Sequence, residues 1–210
     1  MASKSSIARE RILDASSAVF AEEGFAGARV DAIAQRAGVN KAMLYYHIGD
    51  KQALYSEVLN RNFGRIEKAL QEGLPNEGSP SDRLRAVITI VERAIAANPD
   101  HSRIVLREFA SGAANLPAEI LQRMLGLLTV VQNILADGTG NGEFRRTDPV
   151  MTHLTLIGAI LMLNVVSPLR ERVVDLGATV DFPTADADIA RFLGDLLLEG
   201  IATPRSGEPT

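Results

Sequence analysis

Apolar residues recur at spacings of three and four along most of the chain, and no segment sustains the apolar–polar alternation of a strand. A first apolar stripe ends at Gly24, and a second, short one ends at Gly38. Asn40 then has the position of an N-cap for a helix to His47, and Asp50 can cap a longer helix to about Gly73. The pattern predicts an all-α fold class.

The second half of the chain continues this helical pattern. Residues 74–81 are rich in Pro, Gly and Ser and predict a domain boundary, with domains over residues 6–66 and 80–202. Further helices are predicted from Pro80, Asp100, Pro117 and Asp148-Pro149, with a loop over 138–148. A last helix has one apolar side, formed by Ile189, Phe192, Leu193, Leu196, Leu197 and Ile201.

The amino-acid composition excludes several kinds of site and of segment. The 210 residues are 46% hydrophobic and 23% charged and include no Cys, which excludes disulfides and Cys-ligated metals. The N-terminus lacks a signal-peptide pattern, so we expect a cytoplasmic protein. Residues 150–166 are apolar but too short to span a bilayer, and they contain His153 and Asn164. This segment is therefore predicted to be a buried helix, with no membrane partner.

Residues 30–51 carry the most informative pattern, because two short helices meet there at a turn containing Gly38. This arrangement is typical of a helix-turn-helix, whose second helix enters the major groove by its N-terminal residues. Lys41 and Ala42 lie at that end, where Lys can donate to guanine and a small apolar side chain can contact the thymine methyl. Tyr45, Tyr46 and His47 can donate to phosphates, and Lys51 begins the next helix.

Charge does not decide between DNA binding and ordinary core packing. The net charge is −4, and residues 1–60 contain seven Lys or Arg and seven Asp or Glu. Adjacent residues point about 100° apart on a helix, so Tyr45 and Tyr46 cannot both share a buried face with Leu44. A Gly-containing turn between short helices nevertheless occurs in many all-α proteins. The residues alone leave both interpretations open.

Residues 9–55 resemble the DNA-binding domain of the TetR family of transcriptional repressors. The resemblance is carried by RERILDASSAVFAEEGFAGARVDAIAQRAGVNKAMLYYHIGDKQALY, with its Ile-Ala-x-x-Ala-Gly-Val and Leu-Tyr-Tyr-His segments. It implies a three-helix DNA-binding domain, with the motif at about residues 29–48, followed by a larger helical effector-binding and dimerisation domain. It also implies a homodimer on a palindromic double-stranded DNA operator, released by an unidentified small-molecule effector.

The resemblance assigns DNA contacts to a set of residues around the motif: Arg29, Lys41, Ala42, Met43, Tyr45, Tyr46, His47 and Lys51. Two positions depart from the family pattern. Ile48 replaces the usual Phe and keeps an apolar side chain, whereas Ala28 and Arg29 stand where Ser or Thr usually caps the second helix. This puts the cap in doubt, and Arg29 can instead contact a phosphate.

The second half offers weaker functional signals. The Gly142–Pro149 segment resembles a turn often found in the family before the penultimate long helix. Polar candidates for effector contact are Arg103, Arg107, Asn133, His153 and Asn164, together with His101 and Gln132. A structural or surface role is the simpler interpretation for each of them.

Two other classes of protein compete with a DNA-binding regulator. An enzyme would have to work without a Cys nucleophile, a Gly-x-Ser-x-Gly segment or a Gly-rich phosphate loop. The three His residues are far apart in sequence and do not form a metal motif, so we expect no catalytic residues, no metal and no cofactor. A small-molecule-binding helical protein without DNA regulation is the second alternative.

Overall fold

The computed structural model describes residues 4–166 and 186–203, with positions 169, 172, 173 and 175–177 between these ranges. The described residues form nine α-helices and one isolated bridge, between Phe144 and Ala202. This confirms the predicted all-α fold. The helices are α1 (Lys4–Gly27), α2 (Val30–Ala37), α3 (Lys41–His47), α4 (Lys51–Gly73), α5 (Pro80–Ala96), α6 (Pro99–Ala110), α7 (Ala118–Gly140), α8 (Pro149–Val165) and α9 (Asp186–Ile201).

The helices group into two compact units that alternate along the chain. The first unit comprises Met1–Arg65 and Asn98–Arg123, and the second comprises Ile66–Ala97 and Met124–Thr210. The helix α6 therefore belongs with the N-terminal helices, whereas the domains predicted at 6–66 and 80–202 are continuous in sequence. Those domain boundaries stay a prediction.

The first unit is built on apolar contacts among α1, α2, α4 and α6. The α1 helix packs against α2 and α6. The largest fully buried side chains include Phe20 on α1, Ile33 on α2 and Tyr55 on α4. Phe20 and Tyr55 meet edge to face with ring centroids 4.8 Å apart, and Phe25 lies 5.0 Å from Tyr55. Such aromatic pairs stabilise a core beyond the area that they bury.

The second unit is centred on α5, which packs against both α8 and α9. The α5 helix has the apolar spacing expected of a core helix, and its Leu84, Val87, Ile88, Val91 and Ile95 are all buried. None of the described helices combines the length and hydropathy that crossing a membrane would require.

The segment before α8 is hydrogen-bonded to the C-terminal end of α9. The backbone N–H of Arg145 donates to Ile201 O at 2.8 Å, and that of Thr203 donates to Glu143 O at 3.0 Å. The predicted loop began at Gly138, but α7 runs on to Gly140. The ring of Phe144 packs on Gly138, and a Cβ at position 138 would collide with this ring. The backbone N–H of Phe144 donates to Gly138 O at 2.9 Å. Glycine is thus required by this close contact within a helix.

Polar caps predicted from the sequence are confirmed at three helix starts. The side chains of Asn40, Asp50 and Asp148 accept hydrogen bonds from the backbone N–H of Met43, Ala53 and Met151, at 2.7, 2.8 and 2.8 Å. The predicted end of the first helix differs. Gly24 has φ 71° and ψ 174°, so it kinks the chain, and a further helical turn follows to Gly27.

Candidate nucleic-acid interface

The turn between α2 and α3 is held by Gly38 and by a cation from α1. Gly38 has a left-handed conformation, with φ 64° and ψ 38°. Arg11 Nη2 donates to Ala37 O at 2.6 Å, which satisfies a carbonyl at the end of α2 and places positive charge at the negative end of that helix. A Cβ at position 38 would lie 2.6 Å from Arg11 Nη2. Arg11 therefore fixes the turn, a role that the sequence analysis missed.

The α3 helix is anchored through one side of its surface. Leu44 is the α3 residue that lies fully in the core, and Val39 and Ile48, before and after the helix, are half-buried. The opposite side carries most of the predicted DNA contacts. Lys41, Ala42, Met43, Tyr45 and Tyr46 are all exposed, and His47 is half-buried beside Tyr46.

The exposure of these aromatic residues is larger than core packing allows. Tyr46 is 87% exposed and Tyr45 is 46% exposed. Buried aromatic side chains normally contribute large apolar contacts, whereas these two leave about half or more of their surface in solvent. Ordinary core packing therefore does not explain the two tyrosines.

The cations around α3 have different partners. Lys41 Nζ lies 2.9 Å from Asp31 Oδ1, and this hydrogen bond and charge raise the pKa of Lys41. Lys51 Nζ donates to Ala26 O at 3.2 Å and lies 4.8 Å from the centroid of the Phe25 ring. Lys51 thus ties the start of α4 to the end of α1, a contact that sequence spacing did not reveal.

Arg29 precedes α2 and is exposed. It provides no side-chain hydrogen bond to the start of that helix, as the replacement of a Ser or Thr cap suggested. Among the described residues it has no ion-pair partner within 4.0 Å. Its guanidinium is therefore available at the N-terminus of α2, where anions are favoured.

The α6 helix positions the end of α1. Arg107 donates from Nε to Ala21 O at 3.0 Å and from Nη2 to Glu22 O at 2.8 Å. The Tyr55 hydroxyl donates to the buried carboxylate of Glu108 at 2.8 Å. Burial and this carboxylate raise the pKa of Tyr55, so its phenol stays protonated. These bonds hold α1, α4 and α6 together within the first unit.

The seven effector candidates are divided between the two compact units, with His101 in the first and Gln132 in the second. Arg103 and Arg107 lie in the first unit, where Arg107 binds the end of α1. The hydrogen bond from Arg36 lowers the pKa of Glu22, and the charge of Arg103 adds a smaller effect in the same direction. Asn133, His153 and Asn164 lie in the second unit.

Three of the candidates of the second unit have separate surroundings. Asn133 is exposed, and Asn164 Nδ2 donates to Ile160 O of its own helix at 2.9 Å. His153 is half-buried, its Nδ1 has no hydrogen-bond partner among the described residues, and burial lowers its pKa. No group of three His, Asp or Glu in the described part of the chain is arranged to hold a metal ion.

A second exposed surface is apolar and lies on α8 and α9. Met151, Leu154 and Met162 on α8 are 64%, 55% and 55% exposed, and Phe192 and Leu196 on α9 are 60% and 59% exposed. A groove of about 360 Å³ runs between the two helices, with Leu156, Leu193 and Leu197 among its lining residues. The α8 helix was predicted to be buried, but within one chain part of its apolar surface stays exposed. We call these five exposed residues the α8–α9 face.

Comparison with known families and structures identifies both halves of the chain. A family model described as "Bacterial regulatory proteins, tetR family" matches residues 12–58. A second, described as "Tetracyclin repressor-like, C-terminal domain", matches residues 77–164. The transcriptional repressor NicS of Pseudomonas putida is 28% identical over 195 residues, which are 92% of each protein.

Solved structures share the same fold. A tetR-family regulatory protein from Rhodococcus aligns with a TM-score of 0.78 and 20% identity, over 97% of this chain and 100% of its own. The ketosteroid transcriptional regulator KstR2 of Mycobacterium tuberculosis aligns with a TM-score of 0.70 and 21% identity, over 93% and 95% of the two chains. The exposed face of α3, the matched sequence models and this shared fold lead to one conclusion: the chain belongs to the TetR family of bacterial transcriptional regulators.

Proposed function

We propose that this protein represses transcription by binding a near-palindromic operator as a homodimer, and that a small-molecule effector releases it from the DNA. The exposed side of α3 is the observation that carries the proposal. A helix with Leu44 in the core and Tyr46 87% exposed is held firmly while it presents its other side chains to a partner. A regulator of this kind works beside the chromosome, so we also propose a cytoplasmic location.

The N-terminal end of α3 supplies the base contacts in this proposal. Lys41 can donate to guanine O6 and N7, and Ala42 and Met43 can contact thymine methyl groups. Arg29, Tyr45, Tyr46, His47 and Lys51 surround this end and supply donors for phosphates. Phosphate contacts of this kind position the protein, whereas the base contacts specify the sequence.

The α8–α9 face provides the dimer contact in this proposal. Its five exposed apolar side chains lie on neighbouring helices of the second unit. Contiguous exposed apolar surface of this kind marks interaction sites, and a second copy would cover it with identical residues. A two-fold dimer then presents two α3 helices, which requires two inverted half-sites.

The second unit is also where we propose that the effector binds. The match of residues 77–164 to a tetracycline-repressor-like C-terminal domain supports this placement. Among the candidates of the second unit, His153 has a buried ring nitrogen that lacks a partner in the described residues, so we retain it as an effector contact. We propose no catalytic activity and no metal for either unit.

Footprinting on DNA upstream of the encoding gene tests the proposal. We expect protection of two inverted half-sites whose centres lie about one or more helical turns apart. The matched control replaces Tyr45 and Tyr46 by Ala, because both side chains are exposed and their loss leaves the core intact. A small-molecule-binding protein without DNA regulation would protect no site in footprinting and would recover no specific DNA in a genome-wide pull-down. Full affinity for a single half-site would refute the dimer.

A further inference from the structure

An ion pair links the two helices of the motif. Asp31 is the second residue of α2 and Lys41 is the first residue of α3, and Asp31 Oδ1 lies 2.9 Å from Lys41 Nζ. The two side chains are 61% and 50% exposed. Arg29 is close enough to lower the pKa of Lys41, against the larger effect of Asp31. The Asp31 carboxylate thus lies near two positively charged side chains, those of Lys41 and Arg29.

This pair does not have the features of a stabilising ion pair. Exposed pairs of Lys and Asp contribute little to folding, because water screens both charges. The N-terminus of a helix favours an acidic residue and disfavours a cation. Asp31 therefore suits the start of α2, whereas Lys41 at the start of α3 is held there against the field of its own helix.

The other two cations of this surface have no such partner. Lys51 is bound by a neutral backbone carbonyl, and Arg29 has no ion pair among the described residues. Of the three, Lys41 lies at the end of α3 that enters the groove in a helix-turn-helix. The carboxylate is therefore paired with the cation that we assign to base recognition.

We infer that Asp31 is a specificity-determining residue, which keeps Lys41 directed at a base edge and prevents it from binding phosphates of unrelated sequences. This inference rests on the proposed function of α3. An ammonium group has three donors, so Lys41 can remain on Asp31 and still donate to guanine O6 or N7. The same ammonium, without Asp31, can bind whichever phosphate lies within reach of its flexible stem.

The Asp31–Lys41 ion pair lowers affinity mainly for non-specific DNA. Binding that depends on phosphate contacts releases one counterion for each neutralised phosphate. A Lys41 neutralised by Asp31 makes no such contribution, so affinity for non-specific DNA is lower than it would be with an unpaired Lys41. On the operator, the base contact of Lys41 offsets this loss. Asp31 thereby widens the gap between operator and non-specific affinity.

The test compares four full-length variants with the wild type: Asp31→Asn, Lys41→Ala, the double variant and the control Glu22→Gln. Glu22 is matched because it also pairs with a cation of α2, Arg36, at 2.7 Å with both side chains about half exposed. The probes are a random-sequence duplex pool of about 30 base pairs, which can hold two half-sites, and the sequence that the wild type enriches from it. Affinity for both probes is measured over a series of salt concentrations.

We expect Asp31→Asn to bind the random pool more tightly, with a salt slope for the dimer steeper by about 1.8, because each chain adds one phosphate contact worth about 0.9. The ratio of enriched-sequence to random-pool affinity should fall about tenfold, within the range of one base contact. The Asn substitution should change random-pool affinity little when Lys41 is already Ala, because the effect acts through Lys41. Glu22→Gln should leave the ratio and the slope unchanged.

Three results would overturn the inference. An Asp31→Asn variant with the wild-type ratio and slope would show that the pair does not affect recognition. An equal gain in the Lys41→Ala background would show that Asp31 acts by its own charge alone. A wild type that enriches no sequence would overturn the proposed function as well, and this outcome is distinguishable because it precedes any comparison of variants.

Discussion

The helix-turn-helix and the α8–α9 face are both exposed, but they are held and composed in opposite ways. The first is fixed by directional hydrogen bonds, which Arg11 donates to Ala37 O and the N–H of Met43 donates to Asn40 Oδ1. It presents charged, aromatic and small side chains. The second is held through apolar contacts with α5 and presents more apolar residues, such as Phe192 and Leu196.

The difference matches the partners that we propose. DNA recognition needs side chains held at defined positions, since each base contact depends on hydrogen-bond geometry. Association between two copies depends on apolar area, which is far less directional. If this comparison is correct, substitutions in the two regions should fail in different ways.

The largest effect is expected from Leu196→Glu on the α8–α9 face. The side chain is 59% exposed, so one chain can accommodate the carboxylate, but a dimer would bury two of them against apolar surface. We expect a monomer by light scattering. Operator affinity should fall about 100-fold or more, because the second recognition helix is no longer held close to its half-site.

Leu125→Glu is the matched control, because Leu125 is also 59% exposed but lies on α7. It should remain dimeric and bind the operator normally. A Leu196→Glu protein that stayed dimeric would remove the α8–α9 face from the interface.

A smaller effect, on folding, is expected from Gly38→Ala. Alanine at φ 64° is strained and its Cβ would displace Arg11, so the free energy of unfolding should fall by about 1–3 kcal/mol. Gly64→Ala provides the comparison, since this glycine lies within α4 with open space around it and should gain up to about 1 kcal/mol. Urea denaturation measures both. Equal stability of the two variants would contradict the dependence of the motif on one backbone conformation.

The subtlest effect separates Lys41 from Lys51. Lys41→Ala should cost about 1–3 kcal/mol on the operator and relax the preference at one base position. Lys51→Ala should weaken binding to all sequences alike and reduce the salt slope by about one for each chain of the dimer. Titrations over a set of operator variants distinguish the two. If both proteins kept the wild-type ranking of sequences, the placement of Lys41 at a base would be wrong.

Local signals explain why much of the motif could be predicted from the sequence. The Asn40 side chain accepts a hydrogen bond from the N–H three residues later, and Gly38 is needed because its own backbone is left-handed. Such signals need no knowledge of distant residues. The position of α3 and the exposure of one of its sides follow from them together with the apolar spacing around Leu44.

Contacts between distant segments could not be predicted in this way. Arg11 reaches a carbonyl 26 residues away, and Arg107 reaches carbonyls of α1 more than 80 residues away. Nothing in the local pattern distinguishes these arginines from solvated ones, and Arg107 was instead grouped with effector candidates. The contact of Phe144 with Gly138 likewise depends on how a turn folds back on its helix, so the end of α7 was misplaced.

The distribution of aromatic residues gives the protein its own optical reporter. The chain has no Trp and three Tyr, so its near-ultraviolet emission comes from tyrosine alone. Tyr45 and Tyr46 lie in solvent on α3, whereas Tyr55 is buried against Glu108. A soluble quencher such as iodide will therefore reach the two tyrosines of α3 and not the third. Protection of that emission by added duplex reports occupancy of α3 directly, without a dye or an engineered label.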